Sequence, residues 1–226
     1  MTPALLLRLQ AARAETRPVL LATNLQTGAQ LLLPDDAAPA GLTEPAAQAL
    51  EADRNTTVTV ENDTWFLHAY APPLRLVVVG AVHIAQALVP MAIGLGWAVL
   101  ITDPRRAFAT DERFPGLTVS TDWPDEALDV WRPDARTAIV TLTHDPKLDD
   151  PALDRALKSR AFYIGALGSR KTHAARLDRL RALGHDEAAI GRIRGPVGLD
   201  IGAVTAGEIA VSILAQLVSV RRGATP

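Results

Sequence analysis

The sequence predicts an α/β protein in which a parallel-sheet domain, residues 74–226, follows a small α+β unit, residues 1–71. Three observations lead to this. After Pro72-Pro73, short apolar and β-branched runs alternate with helix-like runs, the pattern of parallel strands joined by crossover helices. Before that stiff dipeptide, the runs pair instead as hairpins around short polar connections. Finally, 226 residues with a 48 % hydrophobic and 21 % charged share are enough to bury a core without cross-links.

In the first unit, leucines at helical spacing predict a helix over residues 4–15, closed by Pro18. Residues 19–25 and 29–33 flank Gln26-Thr27-Gly28 and read as a hairpin. The segment 43–53, rich in alanine after Thr-Glu-Pro, predicts a helix capped by Thr43. Strands at 56–60 and 64–70 turn at Glu61-Asn62-Asp63. This unit carries no repeat and no catalytic signature.

In the second unit, strands are expected at 74–79, 97–102, 117–120, 137–142 and 162–164. Helices are expected at 83–93, 124–131, 151–159, 170–183 and 206–220. Asp150-Pro151 suits the start of the third of these helices, with aspartate as cap and proline at the first helical position. Gly184 stops the fourth. Thr205 and Glu208 form a capping box for the last, whose Ile209, Ile213, Leu217 and Val220 share one face. Residues 76–101 contain no charge and are long enough to cross a bilayer, but Gly80, Pro90, Gly94 and Gly96 divide them into a buried strand, helix and strand.

A net charge of −2 gives no reason to expect nucleic acid, and the absence of cysteine excludes disulfides, thiolate metal ligands and a cysteine nucleophile. No metal-ligand set is expected. The start of the chain lacks a basic leader, and Arg8 interrupts its apolar run, so a cytoplasmic location is expected, without export or a membrane span.

The ligand candidates lie where strands run into helices. Gly80-Ala81-Val82-His83-Ile84-Ala85 follows the first strand of the second unit, the place of the Gly-rich turn of a Rossmann fold. Gly80 suits the tight turn, whereas Val82 stands where a missing side chain admits a pyrophosphate. Asp103, ending the next strand, could accept hydrogen bonds from ribose hydroxyls or simply form a turn. His83 could donate to an anion as a neutral imidazole, or be a polar residue at a helix end. Thr143, His144 and Asp145 follow another strand at the edge where open α/β sheets bind ligands. His144 beside Asp145 is the candidate acid or base, with turn chemistry as the alternative. Gly168-Ser169-Arg170-Lys171 opens a helix with two cations where the helix dipole disfavours positive charge, which a bound phosphate or sulfate would reverse. Arg176, Arg179 and Arg181, further along that helix, read as a solvated face. Asp200, within Gly198-Leu199-Asp200-Ile201-Gly202, could orient a ligand or bond loop amides.

In order and wording these segments resemble the C-terminal Rossmann domain of the XdhC/CoxI family. The resemblance rests on residues 76–80 with His83, Asp103-Pro104-Arg105, Arg113-Phe114-Pro115, Thr143-His144-Asp145, Tyr163-Ile164-Gly165 with Gly168-Ser169-Arg170, and the 198–202 segment with Glu208-Ile209-Ala210. It implies an accessory factor for a molybdenum hydroxylase of the xanthine dehydrogenase or carbon monoxide dehydrogenase type. Such a factor would bind the molybdenum cofactor, assist its sulfuration and insertion, dock the apoenzyme, and need not catalyse a reaction. The family usually has glycine at the position of Val82 and Pro-Glu at Ala206-Gly207. Its full-length members carry a longer, cysteine-containing N-terminal domain, so this chain looks like a reduced paralogue working beside a full-length one, in a homo- or hetero-oligomer. The cofactor-binding set expected is Gly80, His83, Asp103, Thr143, Gly168, Ser169, Arg170 and Asp200. Two other readings are a NAD(P)-dependent oxidoreductase using Gly80 and Asp103, and a ligand-free structural component of a maturation complex.

Overall fold

The structure, a computed structural model, describes residues 1–224 and divides into two compact units, residues 1–72 and residues 73 onward. The first unit is a four-stranded antiparallel sheet with a helix on each face. Its elements are α1 (Pro3–Ala14), β1 (Val19–Asn24), β2 (Gln30–Leu33), α2 (Thr43–Glu51), β3 (Thr56–Val60) and β4 (Asp63–Tyr70), with strand order β2-β1-β4-β3. The period-2 alternation of β1 divides the core. Leu20 and Ala22 pack with Ala46 and Ala49 of α2, while Val19 and Leu21 pack with Leu5, Leu9 and Ala12 of α1. Thr43 does not cap α2 as expected. It is the first helical residue, and Leu42 takes the cap position with no side-chain bond, because Leu42 is fully buried in the core and turns the chain one residue earlier.

The second unit contains β5 (Arg75–Val79), α3 (His83–Gly94), β6 (Ala98–Thr102), β7 (Val119–Ser120), α4 (Pro124–Trp131), β8 (Thr137–Thr141), α5 (Pro146–Lys158), β9 (Tyr163–Ala166), α6 (Arg170–Ala182), α7 (Glu187–Ile190), β10 (Ile193–Arg194) and α8 (Ala206–Arg221). All six strands are parallel, in the order β10-β9-β8-β5-β6-β7. Counted from the first strand of the unit this is 3-2-1-4-5-6 reversed end for end, the order of a Rossmann fold. The near-continuous apolar run of β5 follows from cover on both faces. Leu76 and Val78 pack into one core with residues of α3 and α8, and Val77 and Val79 into the other with residues of α4, α5 and α6.

The expected start of α5 is corrected. The helix begins at Pro146, Asp145 is its cap and accepts from the Lys147 amide at 2.9 Å, and Asp150-Pro151 lies inside it. Burial of Leu148, Ala152 and Leu153, together with the Asp145 cap, outweighs the hydrogen bond that Pro151 cannot make. The capping box of α8 forms as expected. No helix among the described residues is long and apolar enough to cross a membrane.

Candidate functional site

The parallel sheet carries β5, β6, β8 and β9 to one carboxyl edge, and β5 and β8, whose connections leave in opposite directions, meet there. Gly80 leaves β5 with φ +109°, which a side chain rarely adopts, and a Cβ on it would lie 2.6 Å from Thr143 Cγ2. Glycine is therefore required by the approach of Thr143, which closes the crevice between the two strands.

Asp103 stands fully buried beside this turn. Its Oδ2 accepts from the Ala81 amide at 2.9 Å and from Arg105 Nη2 at 2.8 Å. Its Oδ1 accepts from the Arg105 amide at 3.0 Å and from Arg105 Nε at 2.9 Å. Burial alone would raise its pKa, but Arg105 and the two amides outweigh burial and hold the carboxyl below its ordinary value. Four donors match the acceptor sites of a carboxylate, so a ribose diol would have to displace one. Arg105 itself lies over the Phe108 ring, 4.4 Å from its centroid.

His83 is exposed in the first turn of α3, behind Val82, which takes the cap position without a side-chain bond. His144 is exposed with φ +66°, and the Asp145 carboxylate caps α5. No hydrogen bond joins His144 to Asp145 among the described residues. The Thr143 hydroxyl donates to Asp149 Oδ1 at 2.6 Å, and Asp149 Oδ2 accepts from Arg176 Nη2 at 3.2 Å. The same Arg176 nitrogen donates to the Leu167 carbonyl at 2.9 Å. A buried ion pair thus ties the loops after β8 and β9 together. Burial pushes the Asp149 carboxyl above its usual range despite Thr143 and Arg176. Arg176 corrects the expectation of a solvated face, being 1 % exposed with Nε and Nη1 unpartnered. Arg179 pairs with Asp150 and Arg181 with Asp178 and Glu187.

Ser169 caps α6, accepting from the Thr172 amide at 3.1 Å. Arg170 and Lys171 are exposed and form no ion pair with a described residue. Arg170 and Asp200 line one cleft of about 410 Å³ together with Leu167, Pro196, Leu199 and Ile209. The wall of this cleft is fixed to α8. Ser212 Oγ donates to the Leu199 carbonyl at 2.6 Å, and Gln216 accepts from the Gly198 amide at 2.9 Å and donates to its carbonyl at 3.1 Å. Gly198 has φ +99°, and a Cβ there would meet Ser212 Oγ at 2.3 Å.

Seven of the eight expected residues fall into two groups. Gly80, Asp103 and Thr143 meet at the β5–β8 crevice, and Arg170 and Asp200 share the second cleft, with Gly168 and the cap Ser169 leading into α6, while exposed His83 belongs to neither. Sequence reasoning missed Asp149, Arg176, Ser212 and Gln216. The buried partner of Arg176 could have been suspected from Asp149 only if the true start of α5 had been known.

The strand order, with clefts at the carboxyl edge of the sheet, defines a Rossmann-type domain. A family model described as the XdhC Rossmann domain matches residues 76–217, and the chain belongs to that family. It is 34 % identical over 184 residues to the molybdenum cofactor insertion chaperone PaoD of Escherichia coli K12, covering 81 % of this chain and 52 % of that protein. To a probable xanthine dehydrogenase subunit of Bacillus subtilis 168 it is 32 % identical over 158 residues, covering 70 % of this chain and 46 % of that protein. The chain spans about half the length of these relatives. A crystal structure described as a xanthine dehydrogenase from Bacillus halodurans superposes with a TM-score of 0.73 at 24 % identity, over 97 % of this chain and 67 % of that one, and shares the fold.

Proposed function

We propose that the chain is an accessory factor for a molybdenum hydroxylase of the xanthine dehydrogenase or carbon monoxide dehydrogenase type, and that it binds the molybdenum cofactor in the cleft between Arg170 and Asp200. The observation that carries this reading is the donor set of that cleft. An unpaired guanidinium beside the first turn of α6 suits a phosphate, and the Asp200 carboxylate suits the N–H edge of an aminopyrimidinone such as a pterin. The naming of PaoD as a molybdenum cofactor insertion chaperone supports it. In this role Arg170 and the α6 amides hold the phosphate, Asp200 orients the ring, and Leu167, Leu199 and Ile209 keep water from its face. When bound in the client enzyme, the cofactor supplies the oxygen-transfer and two-electron redox chemistry of the hydroxylation. These 226 residues contain no cysteine, so the sulfur for its sulfuration comes through another protein. The client apoenzyme and a full-length XdhC-type protein are the partners proposed, in the cytoplasm.

The NAD(P)-dependent reading draws on the strand order, but Val82 and the four-bonded Asp103 stand against it. One experiment separates the two. Cofactor released anaerobically from a molybdoenzyme is titrated into the chain and measured by pterin fluorescence, with NAD and NADP titrated in parallel by calorimetry. Arg170→Ala is expected to weaken cofactor binding by about 1–3 kcal/mol, as for hydrogen bonds to a charged group, without changing the melting temperature. Unchanged affinity with a lowered melting temperature would show that Arg170 serves structure alone, and micromolar NAD binding would favour the oxidoreductase.

A further inference from the structure

α8 shows two apolar stripes. Ala210, Ile213 and Leu217 enter the core, but Val211, Leu214, Ala215 and Val218 face a groove of about 490 Å³ whose other wall is Met91 and Leu95 of α3. Val211 is 49 % exposed, Val218 38 % and Leu95 54 %. Between Glu208 and Arg221 the helix carries no charge, and α3 carries none from Ile84 onward. Cover by neighbouring elements accounts for the apolar strands β5 and β6, but not for the outer faces of these helices. A helix that carries a second apolar stripe beside its core-facing one normally has that stripe covered as well.

We infer that this face is a two-fold interface on which a second copy of the chain docks, α8 against α8 in antiparallel orientation. The order of residues along the stripe singles out this occupant. Reversing α8 about the point between Leu214 and Ala215 places Val211 opposite Val218, Leu214 opposite Ala215, and Glu208 opposite Arg221. The stripe is thus its own complement in shape class and in charge, which is what an isologous contact requires, each residue meeting in the partner copy the one it is met by. Glu208 accepts the Val204 and Thr205 amides through Oε2, both at 2.8 Å, so Oε1 is left to face the opposite cationic end. The spacing of Glu208, Val211, Ala215 and Val218 is the three- and four-residue repeat by which antiparallel helices interdigitate. Ser212 and Gln216, which hold the wall of the ligand cleft, lie on this same helix, so the dimer seam backs directly onto the cleft.

Because the chain has no cysteine, a single introduced one reports position without background. Ala215→Cys, next to the two-fold point, is expected to form a covalent dimer with a short bismaleimide at micromolar protein. Val130→Cys on α4, 83 % exposed and away from the stripe, is expected to give no covalent dimer under the same treatment. In parallel, light scattering is expected to give twice the chain mass for the wild type. Val211→Asp and Val218→Asp, each present twice across the seam and each burying a carboxylate against valine, are expected to weaken the dimer at least about 100-fold with an unchanged melting curve. Because both valines are exposed in one copy, the fold does not depend on them. A wild type that stays monomeric throughout, a dimer indifferent to both substitutions, or equal cross-linking at positions 215 and 130 would each overturn the inference.

Discussion

Replacing Gly80 by alanine tests the closure of the β5–β8 crevice. Two separate effects act on the new methyl group. The φ of +109° lies outside the region that L residues populate, which costs about 1–3 kcal/mol. The Cβ also falls 2.6 Å from Thr143 Cγ2, an overlap that costs roughly another 1–3 kcal/mol if the neighbour cannot move. Thr143 is not free to rotate, because its hydroxyl is bonded to Asp149 at 2.6 Å. Thr143→Ser separates the effects, since it keeps the hydroxyl and removes Cγ2. In Gly80→Ala with Thr143→Ser, the overlap part should return and the backbone part remain, a coupling of about 1–3 kcal/mol in a double-mutant cycle. Urea unfolding followed by tryptophan fluorescence is suitable, since Trp97, Trp123 and Trp131 all lie in the second unit. If Gly80→Ala costs the same with serine as with threonine at position 143, Thr143 does not close the crevice and the reasoning is wrong.

Two further outcomes follow from buried carboxylates. Arg176→Met leaves Asp149 buried without its cation and should destabilise the second unit by about 3–5 kcal/mol at neutral pH, most of it recovered by adding Asp149→Asn, as read from urea midpoints. Since the native Asp149 pKa is already raised, its ionised form opposes folding. The deficit of Arg176→Met should therefore shrink as pH falls through the raised native value and be gone below the unfolded value of about 3.9, where both states bind the proton. Asp103 has the opposite sign: its pKa is lowered in the native state, so it stabilises above its unfolded value of about 3.9 and loses that contribution as pH falls further. Thermal melts of wild type and Asp103→Asn should thus differ at pH 6 and converge in acid.

Much of the architecture was legible because each long element carries its own period. The short polar connections of the first unit and the continuous apolar run of β5 distinguish an antiparallel from a parallel sheet, and the capping box at Thr205 and Glu208 places the start of α8 to the residue. What was not legible depended on contacts between distant residues. The start of α5 is fixed by the Asp145 cap and the burial of Leu148, which local turn signals at Asp150-Pro151 do not report. α7 and β10 are too short to show any period. Arg176 sits among exposed basic residues in sequence, and only the approach of α5 to α6 turns it inward. The candidate ligand residues could be named singly from their strand ends, but their division between two clefts needed the strand order.

In a Rossmann domain the ligand crosses the point where the strand order reverses, here between β5 and β8. Thr143 fills that point against Gly80, Arg105 and two amides occupy Asp103, and Val82 stands at the turn, so three separate features narrow the same route. Two strands away, about 10 Å along the sheet, β9 leads into α6 with exposed Arg170 and Lys171 and a cleft whose far wall is fixed by Ser212 and Gln216. The closed side is held by charges that are already paired, and the open side by charges that are not. An anionic ligand therefore gains more at α6 than at α3, since binding at α3 would first have to break the Asp103 bonds. The buried Asp149–Arg176 pair joins the loops of the two sides, tying the Leu167 carbonyl to the Thr143 hydroxyl through two hydrogen bonds and one ion pair.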